Sequence, residues 1–352
     1  MAGVAAVGLY VPRWFVIASE YPKRLGADIE EVAVPGFDED VVTMAVAAGE
    51  RAIDAAQVQA VDTLVFASSG TLAGARIVAE ALGVKPEAAR DVIGGLEAGE
   101  TAMAGAIYEA SEDDVSVLVV ASDAHAGGAA AVAILVTSRA SQPWTPGASE
   151  SSLLRRVGDP GAATAFVRFL ESLGASKVGG ADVIERALDG RVRVSHEQSQ
   201  AFLHQRPAPA GTEYSQGAYV SMPAYLGEAK ARYRLVGEEC AKCGRLHFPP
   251  RESCLACGAR AWKERALKGT GTVYAYTIIG KGAAPSEFME QQLATGDYAT
   301  AVVELDDGLR ITAMLADVEP ASVKIGMRVR MVFRRLYAQE GVVRYGFKFA
   351  PA

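Results

Sequence analysis

Cysteine is nearly absent. The 352 residues hold four, and none precedes Cys240. That scarcity argues against a disulfide-stapled secreted scaffold, although two disulfides remain the alternative use of the four, and it leaves everything before Cys240 without a thiol nucleophile. Histidine is equally scarce: His125, His196, His204 and His247 are the full complement. No apolar run reaches the roughly 20 residues that span a bilayer, and the longest, 115–122 and 129–136, have strand length. G-x-G-x-x-G and Walker sequences are missing, which argues against a phosphate loop. G-x-S-x-G is missing too, which argues against a hydrolase elbow. The N-terminal Met-Ala-Gly-Val-Ala-Ala-Val-Gly lacks a basic region followed by a long apolar core, so a cytoplasmic, non-membrane protein is expected.

What is present is concentrated late in the chain. The four cysteines form two matched pairs, Cys240-Ala-Lys-Cys243-Gly and Cys254-Leu-Ala-Cys257-Gly. Each C-x-x-C-G closes a tight knuckle with both thiols on one side, and Gly244 and Gly258 permit the positive backbone angle. Two knuckles supply the four soft ligands of a closed, structural zinc site. Such a site leaves no position open for substrate, so the zinc predicted here holds structure. His247 lies between the knuckles, where four cysteines already complete the coordination.

Charge is unevenly divided. Net charge is −7, but residues 230–352 carry 19 Lys+Arg against 13 Asp+Glu, a balance of +6, and the preceding residues carry −13. The basic part suits a phosphate-bearing ligand or an acidic partner surface, although charge also varies between domains without function.

Patterning predicts two fold classes. Apolar strands at 4–8, 61–67, 115–122 and 129–136 alternate with alanine-rich helical stretches at 39–58, 71–83 and 97–110, which implies an α/β layer with a mostly parallel sheet. The Ser/Pro/Gly-rich stretch 139–160 reads as a loop, 161–174 and 181–188 as helices, 204–223 as a connector, and 223–235 as a helix leading to the first knuckle. After the knuckles the pattern is purely β: 272–279, 298–305, 309–316, 328–336 and 342–349. Asp307-Gly308 is a hairpin signal between two of these strands. Five short strands suit a small Greek-key barrel, the OB-fold, with a generic small sandwich as the alternative.

Residues 223–352 resemble the zinc-ribbon plus OB-fold proteins of the domain of unknown function 35 type, which pair with thiolases. The matching features are Tyr233-Arg234, the two knuckles, Phe248-Pro249-Pro250-Arg251, Gly269-Thr-Gly-Thr-Val-Tyr-Ala-Tyr-Thr277, Val302-Val-Glu-Leu305 and Gly326-Met327. Residues 1–200 resemble the thiolase-like fold of HMG-CoA synthases and type III ketoacyl synthases. The likeness lies in Val7-Gly-Leu-Tyr-Val-Pro-Arg13, Val119-Val-Ala-Ser-Asp123 with Gly127-Gly-Ala-Ala-Ala-Val132, and Gly158-Asp-Pro-Gly-Ala-Ala163. In that family a cysteine nucleophile opens a buried helix. The corresponding stretch here is Asp91-Val-Ile-Gly-Gly-Leu96-Glu-Ala-Gly99, and Leu96 holds the nucleophile position. Asp159 replaces an asparagine, the catalytic histidine segment is missing, and the second half-domain is shortened.

The resemblance therefore implies α/β plus all-β architecture: a degenerate thiolase-like layered domain (1–200), a linker and helix (201–235), a rubredoxin-like zinc ribbon (236–265) and an OB-fold barrel (266–352). It implies no catalytic residues of its own. It implies zinc on Cys240, Cys243, Cys254 and Cys257, and CoA or acyl-CoA as ligand, with Arg251 and Lys281 as the basic residues best placed for it. It further implies a hetero-oligomer in which a catalytic thiolase or ketoacyl-synthase-like subunit performs the acyl-CoA chemistry.

Two other readings stay open on sequence. One is an autonomous acyl-CoA condensing or hydrolysing enzyme with a rearranged site, for which Glu97, Glu100 or a Ser122/Asp123/His125 set would be the groups to examine. The other is an OB-fold nucleic-acid module stacking bases on Tyr274, Tyr276 and Phe333. His196 and His204, beside the connector, read as surface or capping residues.

Overall fold

A computed structural model describes residues 2–21, 25–26, 28–58, 60–145, 147, 151–174, 178, 180–203, 222–339 and 342–352. The chain divides into two units, Met1–Pro207 and Ala208–Ala352.

The first unit comprises β1 (Gly3–Tyr10), β2 (Trp14–Ile17), β3 (Glu31–Val34), α1 (Val41–Ala56), β4 (Thr63–Ser68), α2 (Ala75–Leu82), β5 (Ala89–Ile93), α3 (Ala98–Glu112), β6 (Val117–His125), β7 (Gly128–Thr137), α4 (Ser152–Val157), α5 (Thr164–Leu173), α6 (Gly180–Leu188), β8 (Val192–Arg193) and α7 (His196–Phe202). Five strands form one sheet in the order β1-β7-β6-β4-β5. The Val/Ala/Leu strands β4, β6 and β7 are buried on both faces, which is why they read as apolar runs rather than alternating ones.

The sheet is mixed, not mostly parallel as the sequence suggested. β4 pairs in parallel with β5 and β6, but β6–β7 and β7–β1 are antiparallel. The cause is the connection. Only Ala126 and Gly127 separate β6 from β7, too few residues for a crossover, so the chain must fold straight back.

α1 rests on β1 and β7, and the approach is close. A side chain at Gly8 would put its Cβ 2.2 Å from the Ala48 carbonyl oxygen. α3 and α5 share a core with strand residues Val65, Val119, Val132 and Ile134, centred on Met103, Phe166 and Phe169. Here Gly99 is required, because a Cβ would lie 2.2 Å from Ala162 O. Gly99→Val is expected to force α3 off the 161–163 turn and to cost about 2–3 kcal/mol, read by urea denaturation. A cost below about 0.5 kcal/mol would contradict that contact.

In the first unit the sequence reading missed β5, the small sheet β3-β2-β8, α7, and α4, which lies inside the stretch read as a loop. α4 has only six residues, started by the Ser151 side chain accepting from Leu154 N at 3.0 Å and stopped at Gly158.

The second unit comprises α8 (Met222–Gly227), α9 (Ala229–Arg234), β9 (Val236–Cys240), β10 (Leu246–His247), β11 (Trp262–Ala266), β12 (Thr270–Ile279), α10 (Met289–Thr295), β13 (Tyr298–Leu305), β14 (Arg310–Met314), β15 (Arg328–Gln339) and β16 (Val342–Pro351). The helix expected at 223–235 is broken at Glu228. β10-β9-β11 form the ribbon sheet, and β14-β13-β12-β15-β16 form the barrel. All five barrel strands fall where the sequence placed them, within a few residues at each end. Alternate residues of β13, Ala299, Ala301, Val303 and Leu305, point into the core with Val273, Val329 and Phe349. Each large side chain among these contributes about 1.5–3 kcal/mol by burial.

Leu305 N donates to Leu309 O at 2.8 Å, and Gly308 takes φ 83° to close the predicted Asp307-Gly308 hairpin. Ala316 N donates to Phe349 O at 2.8 Å and links the last strand to the end of β14. The end strands of this sheet, β14 and β16, meet only through the isolated bridge between Leu315 and Phe349, so the barrel is nearly, not fully, closed.

Ribbon and barrel share a core. Leu246 and Phe248 pack against the barrel cluster, and the Phe248 ring meets Phe347 at 5.9 Å. α9 is fastened to β16 through Arg232, which stacks on Tyr225 at 3.6 Å and donates to Tyr345 O at 3.2 Å. Tyr233 is buried against Phe333, and that burial, reinforced by Tyr225, pushes its hydroxyl up to about 12.

Candidate metal centre and nucleophile position

The two knuckles converge as their spacing required. Gly244 and Gly258 adopt φ 71° and 70°, and their N–H groups donate to Cys240 O at 2.8 Å and Cys254 O at 2.9 Å. These turns swing both sulfurs of each pair inward. Cys240 Sγ lies 3.6 Å from Cys257 Sγ, Cys243 Sγ lies 3.6 Å from Cys254 Sγ, and all four lie within 4.8 Å of one another. A tetrahedron of sulfurs at the usual zinc distance has edges of about 3.8 Å. All four cysteines are free thiols, not disulfides. The donor set and its size fit a structural zinc ion.

The electrostatics call for a cation. Desolvation pushes the Cys254 thiol up, but the Ala256 and Cys257 N–H groups and His247 outweigh it and bring the pKa down to about 5. The Arg245 N–H favours a Cys243 thiolate, yet the adjoining Cys254 sulfur prevails and drives Cys243 up to about 12. Four thiols this close cannot all ionise without a positive charge among them.

Arg251 and Lys281 sit in different parts of the second unit. Arg251 follows the ribbon's Pro-Pro turn and is exposed, and its backbone N–H donates to Glu238 at 3.0 Å. Lys281 is exposed in the turn after β12. That turn is clamped by Gln292 of α10, whose amide donates to Gly280 O at 2.6 Å and accepts from Gly282 N at 3.1 Å. α10 and Gln292 were invisible to the sequence reading, because seven residues carry too few periods.

In the first unit, Leu96 stands in the turn just before α3, 66% exposed. Asp91 accepts from Gly74 N and Ala75 N at 2.8 and 2.9 Å and so caps α2. Asp159 accepts from Gly161 N and Thr164 Oγ1, which makes it a turn cap. Glu97 and Glu100 are exposed in the first turn of α3.

Ser122, Asp123 and His125 do not meet as a triad. Ser122 Oγ donates to Val41 O at 2.7 Å, His125 Nδ1 accepts from Gly127 N at 3.1 Å, and Asp123 binds Ser68, Ser69 and Ala162. The His196 ring lies against Tyr21 at 4.6 Å. His204 and most of the 204–223 connector lie outside the described residues. Of the aromatics considered for base stacking, Phe333 is buried between Tyr233 and Tyr345, and Tyr274 is covered by the Arg310 guanidinium at 3.5 Å. Tyr276 remains 41% exposed. No helix among the described residues is long and apolar enough to cross a membrane.

A zinc ribbon fused to an OB barrel is thus the class that the second unit defines. Family models agree: "ChsH2, rubredoxin-like zinc ribbon domain" matches residues 228–263, and "ChsH2, C-terminal OB-fold domain" matches residues 264–334. A DUF35 domain-containing scaffold protein of Methanocaldococcus jannaschii is 41% identical over 125 residues, which are 35% of this chain and 84% of that protein. The chain belongs to the DUF35 family.

Among solved structures, the Ltp2-ChsH2(DUF35) aldolase is 29% identical, with a TM-score of 0.30, covering 38% of this chain and 98% of that one. MvaS in complex with 3-hydroxy-3-methylglutaryl coenzyme A is 16% identical, with a TM-score of 0.47, covering 62% of this chain and 95% of that one.

Proposed function

We propose that this chain is a non-catalytic accessory subunit of an acyl-CoA thiolase or condensing-enzyme complex. It pairs with a catalytic thiolase-type subunit and contributes CoA or acyl-CoA binding through its OB barrel. The observation that carries the reading is Leu96: at the position of the family's thiol stands an exposed hydrocarbon, and no cysteine precedes Cys240. Acyl transfer through an enzyme thioester needs a thiolate, and residues 1–239 contain no cysteine to supply one. The scaffold designation of the curated relatives points the same way.

The pairing surface in this reading is the free edge of β5 with the start and outer face of α3, where Ile93, Leu96 and Tyr108 are 39%, 66% and 70% exposed. Apolar side chains beside an unpaired strand edge suit a protein partner. The second unit, whose residues 230–352 carry the basic excess, then lies over the partner's substrate entrance, with Arg251 of the ribbon and Lys281 of the barrel offered to the CoA phosphates. Its contribution is positioning and exclusion of water.

The test is co-purification with a thiolase-type protein encoded beside this chain, then acyl-CoA turnover with and without it. Turnover is expected only from the pair. Full activity of the partner alone would sink the accessory role, and a covalent acyl adduct on this chain by itself would restore the autonomous-enzyme reading.

A further inference from the structure

His247 is 5% exposed, and its Nε2 lies 3.4 Å from Cys254 Sγ. Two elements hold the ring there. β10, only Leu246 and His247, is paired to β9 with His247 opposite Glu238, and the Trp262 ring of β11 meets the imidazole edge-on at 5.2 Å from the other side of β9. The next residue, Phe248, packs on Phe347 of the barrel. One short segment therefore touches both the metal centre and the barrel core.

A cysteine sulfur coordinating zinc is an acceptor and nothing else, so an imidazole nitrogen directed at it must carry the proton. Four thiolates around a dication leave two surplus negative charges, and buried N–H donors offset them. Cys254 already receives one from Ala256 N at 3.4 Å. Outer partners of this kind commonly change metal affinity by about 10–100-fold when removed.

We propose that His247 is a positioning residue for the metal centre: its Nε2–H donates to Cys254 Sγ, fixes that thiolate, and slows loss of the ion. It is not a fifth ligand, because four sulfurs complete the set. The inference concerns the metal centre and stands or falls separately from the accessory-subunit reading.

The full-length zinc protein is compared with His247→Phe, which keeps the ring shape without a donor, and His247→Gln, whose amide nitrogen reaches the position of Nε2. Zinc transfer to a chromophoric chelator should be faster by about tenfold or more in His247→Phe and near the wild-type rate in His247→Gln. In the cobalt-substituted proteins, sulfur-to-cobalt charge transfer should shift to lower energy in His247→Phe alone, since a thiolate relieved of a hydrogen bond is a better electron donor. Should His247→Phe fail to fold, the wild-type protein still decides. The 15N resonance of Nε2 in selectively labelled zinc protein must be that of a protonated ring nitrogen. Equal transfer rates and spectra for wild type and His247→Phe, an unprotonated Nε2, or a three-sulfur, one-nitrogen cobalt spectrum in the wild type would each overturn the proposal.

Discussion

Replacing Cys240 with serine, or stripping the metal with a strong chelator, is expected to unfold the ribbon and leave most of the barrel standing. The expectation follows from what each part has for a core. The ribbon has a five-residue strand, a two-residue strand and another of five, and β11 is almost wholly exposed. Its best apolar side chains, Leu246 and Phe248, lean on the barrel rather than on one another. Cys240 and Cys254, at 1% and 3% exposure, occupy the interior where a hydrophobic core would otherwise be.

Structural zinc in such modules contributes on the order of 10–16 kcal/mol of apparent binding free energy, far beyond what these strands could supply. The barrel, in contrast, has Val273, Val303, Val329 and Phe349 fully enclosed. Metal analysis should give about one zinc per chain for the wild type and none for Cys240→Ser. Limited proteolysis of the variant should cut first between residues 240 and 262. A metal-free ribbon that resists protease as well as the zinc form would refute the assignment.

The second large effect is expected at Asp123. Its carboxylate is 3% exposed and accepts from Ser68 Oγ at 2.6 Å, from Ser69 N at 3.0 Å and from Ala162 N at 2.6 Å. It thereby ties the end of β6 to the turn after β4 and to the 161–163 turn that α3 leans on. Asp123→Ala strands two backbone N–H groups and a hydroxyl in a dry interior, at about 1–3 kcal/mol for each unsatisfied group.

A loss of roughly 3–5 kcal/mol is expected, measured by urea denaturation of the full chain with far-UV dichroism. Asp123→Asn should recover little, because an amide NH2 would face donors. Retention of wild-type stability in Asp123→Ala would show that these bonds are replaceable and would reopen a chemical role for the Ser122–His125 segment.

Much of the second unit could be read directly from its residues. The knuckles, the hairpin at Asp307-Gly308 and the five barrel strands depend on short-range rules: two-residue spacers between thiols, glycine where φ is positive, and alternation at a period of two. The first unit was legible at the level of its long helices and apolar strands. β5 was missed because Ala-Arg-Asp-Val-Ile shows neither a continuous apolar run nor clean alternation; it sits at the sheet edge, where one side faces water. α4 and α10 were missed because six or seven residues carry too few turns for a period to emerge. The direction of β7 was misjudged because strand–helix alternation had set the expectation, while a two-residue turn governed the outcome.

The sequence by itself determined that four thiols would close one site, that no thiol precedes Cys240, and that an α/β layer precedes a β barrel. These are matters of residue type and local spacing, and local sterics decide them. Only the tertiary structure decided what Asp123, Asp159 and His247 do. The first two are spent on capping and cross-linking turns, and the third faces a sulfur seven positions further along the chain. Hydrogen-bond partners of buried polar groups are chosen by whichever segments packing brings together, and for Asp123 those lie 39 and 55 residues away. No local rule contains that information.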